Sequence, residues 1–141
     1  MRTLETIRRF RLSDTFIEPY KDSEVPWGPL GYVTFKRTYA RRLNEFEEGA
    51  EGTEEWWQTC RRVVEGMFNM QKEHVVLLGL EWNDAKAQRT AKEAYDRLFN
   101  LKWTPPGRGL WMMGTKFVEE RTAAGLFNCA FRSTRDLGTK G

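Results

Sequence analysis

The sequence predicts an α/β protein: a mostly helical N-terminal segment leads into a first strand, and the whole reads as a fragment of a larger fold. Three observations carry that expectation. Apolar residues recur at helical spacing from Trp56 to Met67 and again from Ala87 to Leu101. The density of apolar residues expected of a buried strand is confined to Leu126–Ser133 near the C-terminus. One strand without partner strands is a poor basis for an autonomous domain. Two units are expected: a helical region over residues 1–102, and the incomplete start of the strand-bearing part over residues 103–141.

Taken in order, Ser13 or Asp14 is placed to cap a short helix carrying Phe16, Ile17 and Tyr20. Pro26, Gly28, Pro29 and Gly31 fall within six residues and break both periodicities, so that stretch is read as irregular. Tyr32–Phe35 alternates as a short extended piece, and Tyr39–Phe46 has room for a helical turn or two. The acidic, glycine-containing run Glu45–Gly52 reads as a solvated loop. Thr53 is the expected N-cap of a long helix, with Glu54 and Glu55 in the first turn where the helix dipole favours them. Its buried face is Trp56, Cys60, Val63, Val64, Met67 and Met70 or Gln71, and it runs to about Leu78 before Gly79. Asn83 or Asp84 caps a second helix with the apolar face Ala87, Ala91, Ala94 or Tyr95, Leu98 and Leu101, ending before Trp103. Thr104 precedes proline and is held extended. After a glycine-rich turn, Lys116–Ala124 has room for one short helix, and Leu126–Ser133 follows as the strand.

The chain has 141 residues, enough to bury about two-thirds of its unfolded surface as one domain. Apolar residues make up 40% and charged residues 30%, the balance of an ordinary soluble protein. Nine Phe, six Trp and four Tyr sit in compact clusters, which suits a piece that packs against a larger body. The net charge of +3 is small and the signs are interleaved, as in Arg41-Arg42 followed by Glu45, Glu47 and Glu48. No single-sign run offers a nucleic-acid backbone a track, so direct nucleic-acid binding is not expected. Two cysteines are too few for a disulfide framework and lack metal-ligand spacing, so no metal site is assigned. No apolar run follows Met1 as a signal peptide would require, and none approaches the roughly 20 residues of a membrane span. A reducing cytoplasm, bacterial or of a phage-infected cell, is the expected location.

Three ordered blocks stand out. The first is Pro26-Trp27-Gly28-Pro29-Leu30-Gly31-Tyr32, continuing into Arg37-Thr38-Tyr39-Ala40-Arg41-Arg42. The second is Glu55-Trp56-Trp57-Gln58-Thr59-Cys60-Arg61-Arg62-Val63-Val64-Glu65-Gly66-Met67-Phe68. The third runs from Trp103-Thr104-Pro105-Pro106-Gly107-Arg108-Gly109-Leu110-Trp111-Met112-Met113-Gly114-Thr115 to Phe127-Asn128-Cys129-Ala130-Phe131. Together they resemble the N-terminal part of the adenosylcobalamin-dependent (class II) ribonucleoside triphosphate reductases, over roughly Phe16 to Thr134. The resemblance implies a ten-stranded α/β barrel whose catalytic part opens at residues 103–141. It also implies reduction of ribonucleoside triphosphates to deoxyribonucleotides by thiyl-radical chemistry, with adenosylcobalamin as the source of the radical. The implied partners are a ribonucleoside triphosphate, thioredoxin or a similar dithiol, and the remainder of the reductase chain.

Spacing alone makes Cys129 a small buried hydrophobe between Phe127 and Phe131. The resemblance makes it one of the redox-active pair that reduces the ribose, its partner cysteine absent from this chain. Asn128 reads either as a polar edge residue or, by resemblance, as a substrate contact; Phe127 stands where the family usually has another polar residue. Gly114-Thr115 reads as a turn and helix cap, while the resemblance places it beside the substrate phosphates, where glycine lets backbone N–H groups approach an anion. Gly107-Arg108-Gly109 lacks phosphate-loop spacing. Cys60, on an apolar helix face, is expected to be structural. The tryptophans fall on apolar helix faces or beside Gly/Pro turns and are read as packing rather than as a base-stacking platform.

The radical cysteine, the cobalamin site and the C-terminal reducing cysteines are expected beyond Gly141, so the chain as given is expected to be inactive. A split gene, an intein junction, a truncation or a frameshift would each explain the ending. The rival functional readings are a small autonomous module binding nucleotides or single-stranded nucleic acid, and a helical interaction domain derived from the reductase.

Overall fold

A computed structural model describes residues 7–121 and 123–126. Six α-helices follow in order: α1 (Asp14–Lys21), α2 (Pro29–Thr38), α3 (Trp56–Leu77), α4 (Asp84–Phe99), α5 (Gly107–Met112) and α6 (Lys116–Glu120). Short 3-10 turns span Leu43–Glu45 and Ala123–Leu126. Among the described residues the sole β feature is an antiparallel bridge between Arg42 and Thr53, which pinches off the acidic loop between them.

The two long helices form the frame. Trp56, Cys60, Val63, Val64 and Phe68 of α3 pack against Ala87, Ala91, Tyr95, Leu98 and Phe99 of α4 in one core. Cys60, Val63, Val64, Ala91, Tyr95 and Leu98 are fully buried, as the helical spacing predicts, whereas Met67 is half-buried and Met70 and Gln71 face outward. The buried seam therefore continues through Phe68 rather than along the expected line. The indole N–H of Trp56 donates to the Phe99 carbonyl at 3.0 Å, and the Tyr95 hydroxyl donates to the Trp57 carbonyl at 3.1 Å, so neither large ring buries an unpaired polar group.

Several local expectations are corrected. The stretch after Trp27 is not irregular or extended: Pro29 occupies the first turn of α2, where its missing N–H costs nothing, and Tyr32–Phe35 is helical. Phe35 thereby stacks on Trp27 at 5.3 Å and meets Trp56 edge-on at 5.2 Å. The N-cap of α3 is Glu55, not Thr53; its backbone N–H donates to the Gln58 side chain at 2.7 Å. Tyr39–Phe46 does hold a helical turn, the 3-10 turn Leu43–Glu45, as expected. Gly107–Gly109 starts α5 instead of forming a turn, again behind a proline at the cap. The short helix expected within Lys116–Ala124 is present as α6, whereas Leu126 closes a 3-10 turn instead of opening a strand. The remainder of the expected strand, with Asn128 and Cys129, lies outside the described residues.

Ahead of α1, an extended arm crosses α3. Asn69 accepts from the Phe10 N–H (2.8 Å) and donates to the Phe10 carbonyl (3.2 Å). One turn back, Glu65 accepts from the Leu12 N–H, and Arg61 donates to the Leu12 carbonyl. Side chains on one helix face thus substitute for a neighbouring strand, and Phe10 and Leu12 point into the core.

Candidate functional site

The corner between α5 and α6, residues 113–116, holds the two predicted substrate contacts that can be seen. It is seated on α3 by an unusually close backbone approach. A Cβ added to Gly66 would lie 2.6 Å from the Gly114 nitrogen, and one added to Gly114 would lie 2.4 Å from the Arg62 carbonyl oxygen. Gly114 also has φ +74°, a left-handed conformation that disfavours side chains. Gly66, a mid-helix residue that costs α3 about 1 kcal/mol relative to alanine, is explained by this contact.

Beside the two glycines lies a buried ion pair. The Arg62 guanidinium donates to both carboxylate oxygens of Glu54, through Nε at 2.7 Å and through Nη2 at 2.9 Å. Its other donors reach the Met113 carbonyl at 2.6 Å and the Leu110 carbonyl at 3.1 Å, two of the carbonyls that α5 leaves open at its C-terminal end. Glu54 also accepts from the Thr59 hydroxyl and the Arg41 N–H. The two side chains are 7% and 3% exposed, so the pair is desolvated and its geometry is fixed by six hydrogen bonds. Neither residue was singled out from the sequence. The available signal was the stripe Arg62, Gly66, Asn69, which puts a cation, a gap and an amide on one face beside the apolar seam.

Thr115 is buried, and its hydroxyl donates to the Met112 carbonyl at 2.7 Å. Its backbone carbonyl starts α6 by accepting from Val118 and Glu119. Gly114 borders two open clefts of about 510 and 300 Å³ on either side of the Gly66 contact. Arg9, from the arm, pairs with Glu119 of α6 and forms one rim of the larger cleft. That cleft is lined by the cations Arg9, Arg11, Arg61, Arg62 and Lys116 and by as many glutamates, so its charge is balanced.

Cys60 is fully buried, and burial pushes its thiol well above the ordinary value, with Glu54 adding to the effect. His74 lies near the end of α3 and is exposed. Among the described residues no three His, Cys, Asp or Glu side chains converge as a metal-ion site. The charged residues lining the larger cleft include the Arg9–Glu119 and Arg62–Glu54 pairs, and no described residue is assigned to adenosylcobalamin. Four tryptophans are packed as expected, Trp56 buried and Trp27, Trp57 and Trp103 half-buried, whereas Trp111 is exposed, with the Arg41 guanidinium over its ring at 5.2 Å. No described helix is long and apolar enough to cross a membrane.

With the geometry in view, the likenesses to known proteins fall on the same segments. Residues 12–115 match the family model of the ribonucleotide reductase alpha domain. A probable adenosylcobalamin-dependent ribonucleoside-triphosphate reductase of Dictyostelium discoideum is 41% identical over 136 residues, covering 94% of this chain and 17% of the relative. The Euglena gracilis adenosylcobalamin-dependent ribonucleoside-triphosphate reductase is 39% identical over 138 residues, 95% of this chain and 18% of the relative. A crystal structure of a B-12 dependent (class II) ribonucleotide reductase superposes with a TM-score of 0.70 at 35% identity, covering 86% of this chain and 16% of that one. The chain thus spans about a sixth of the length of these relatives. From the arm through α6 the matched residues build one helical unit, and the chain belongs to the ribonucleotide reductase alpha domain family.

Proposed function

We propose that this chain is the N-terminal segment of an adenosylcobalamin-dependent ribonucleoside-triphosphate reductase, which makes deoxyribonucleotides for DNA synthesis. The observation that carries the reading is the joint likeness in sequence and backbone: 41% identity over 136 residues to a relative of that name, and a TM-score of 0.70 to a B-12 dependent reductase. The alternative of an autonomous nucleotide or nucleic-acid module has no comparable support; of the rings it would need for stacking, Trp27, Trp56, Trp57 and Trp103 are part of the core or packed against it.

Within this reading residues 1–102 form the helical region and residues 103–141 open the catalytic barrel. Adenosylcobalamin supplies a radical when bound by the complete enzyme. The parts assigned to this chain are positional and reductive. Gly114 brings backbone beside the substrate phosphates; the support is its place in the lining of two clefts. Thr115 has its only hydroxyl proton committed to Met112, so a contact from that hydroxyl to a phosphate requires it to rotate. Asn128 contacts substrate from the segment that follows. Cys129 is one of two thiols that together give up two electrons and two protons and become a disulfide, while the ribose 2′ hydroxyl leaves as water. Thioredoxin or a similar dithiol then restores the pair. The partner for this chain's own surface is the rest of the reductase, for which the exposed Leu30 and Val33 of α2 and Leu77, Leu78 and Leu80 offer apolar contact. A cytoplasmic location follows from thiol chemistry of this kind.

The test is Cys129→Ser in the reductase that carries this segment. Nucleotide and cobalamin binding should stay within about twofold of wild type, because one atom changes, while multiple turnover with thioredoxin falls by at least about a hundredfold, ~2.7 kcal/mol in barrier terms. Normal turnover by that variant would overturn the assignment.

A further inference from the structure

We infer that Arg62, held by Glu54, is a positioning residue that sets the height of the Gly114 corner above α3 and so the affinity of the site for a nucleoside triphosphate. The inference rests on the reading of that corner as substrate-facing. A buried ion pair often stabilises a protein no more than an apolar pair of the same volume. What the guanidinium adds is direction. Its donors point two ways at once, toward the Glu54 carboxylate and toward the Leu110 and Met113 carbonyls. A lysine, with a single compact ammonium, does not span both sets. The residue after Met113 is Gly114, whose Cα rests on the Arg62 main-chain carbonyl. Arg62 therefore fixes the corner from both sides, with its side chain pulling on Met113 and its backbone forming the floor under Gly114.

Glu54 extends the same device to the chain before α3. It is bonded to the Arg41 N–H and the Thr59 hydroxyl, so the carboxylate cannot shift without disturbing the Arg42–Thr53 bridge region and the first turn of α3. A guanidinium anchored to so rigid a base has one available position. A displaced corner would present the Gly114 backbone to the phosphates at the wrong distance, weakening binding before it touched the chemical step.

The experiment uses the reductase that carries this segment, with the variants Arg62→Met, Arg62→Lys and Glu54→Gln. ATP affinity is measured at equilibrium without cobalamin, ATP reduction is measured with kcat and KM separated, and amide hydrogen exchange is followed over residues 113–116 with and without ATP. Arg62→Met and Glu54→Gln should each raise the ATP dissociation constant and KM about tenfold while kcat stays within about twofold. Arg62→Lys should fall between them and wild type. Exchange at the Thr115 amide should rise while Val63 and Val64 keep their protection. If ATP protects residues 113–116 in wild type but the variants bind ATP as tightly, the inference fails and the site reading stands. If ATP leaves exchange at those residues unchanged in wild type, the site reading fails and the inference with it. Should Arg62→Met not fold, the near-isosteric Glu54→Gln decides the matter by the same measurements.

Discussion

Cys60 separates packing from chemistry at the scale of one residue. Its thiol is fully buried between Val63, Val64 and the face of α4, and burial holds its pKa well above the ordinary 9.0. The thiolate is the reactive form, so native Cys60 should resist a disulfide-exchange reagent at neutral pH and react only on unfolding, which a thiol titration with and without denaturant will show. The sign of the linkage is equally definite. A thiol whose pKa is higher folded than unfolded contributes its full stabilisation below the unfolded value and loses it as pH climbs through the folded one. Tyr20, hydrogen-bonded to Asp96 and pushed from 10.0 to about 12 by burial first and that hydrogen bond second, acts in the same direction. From neutral pH to about pH 9 these two groups should leave stability flat, and above it stability should fall, with tyrosinate absorbance appearing together with loss of helix. Cys60→Ser should cost about 1–3 kcal/mol, the price of a hydroxyl in an apolar site, with no effect on any redox step. This residue was legible from helical spacing alone. Arg62 and Glu54 were not, because a charge in a helix is ordinarily solvated and nothing local announces that a distant carbonyl pair will face it.

At the scale of elements, the frame was readable wherever one periodic face decided the structure. α3 and α4 have long apolar seams, and their ends follow from capping groups, as at Asn83, which accepts from the Lys86 N–H at 2.9 Å. The misreading of α2 has a local cause: Pro29 breaks a periodicity within an element but stands here at a helix start, where the lost N–H has no partner to miss, and Pro106 precedes α5 in the same way. The arm was missed for a different reason. Its register is set by Asn69, Glu65 and Arg61 on a helix far along the chain, and no short-range pattern encodes that. Asn69→Leu tests the arrangement. Leucine matches the volume but leaves the Phe10 N–H and carbonyl without their partner in a buried place, a cost of about 1–3 kcal/mol. The arm should then show faster amide exchange at Phe10 and Leu12, with α4 unaffected. If Phe10 stays protected in that variant, the side-chain ladder is not what holds the arm.

At the scale of the whole molecule, the decisive quantity is how many sulfurs can reach a substrate. Removing a ribose hydroxyl as water consumes two electrons, and in the chemistry proposed here those come from two thiols that become one disulfide. This chain has two cysteines. One of them, Cys60, is sealed between two helices with its pKa raised, so it can neither attack nor approach another sulfur to the roughly 2 Å of a disulfide without opening the α3–α4 core. At most one sulfur is left for chemistry, and one sulfur cannot close an intramolecular disulfide. Supplying an external dithiol does not remove the difficulty, because the hydrogen-abstracting radical in the proposed reaction needs a further cysteine. The 141-residue chain, mixed with adenosylcobalamin, a dithiol and ATP or CTP, should therefore form no deoxynucleotide above background by chromatography. Deoxynucleotide formed by the pure chain would refute the sulfur count, and with it the assignment of Cys129 to a pair completed elsewhere. The complementary result is that a reductase in which the rest of the enzyme joins this segment turns over, and loses multiple turnover on Cys129→Ser but not on Cys60→Ser.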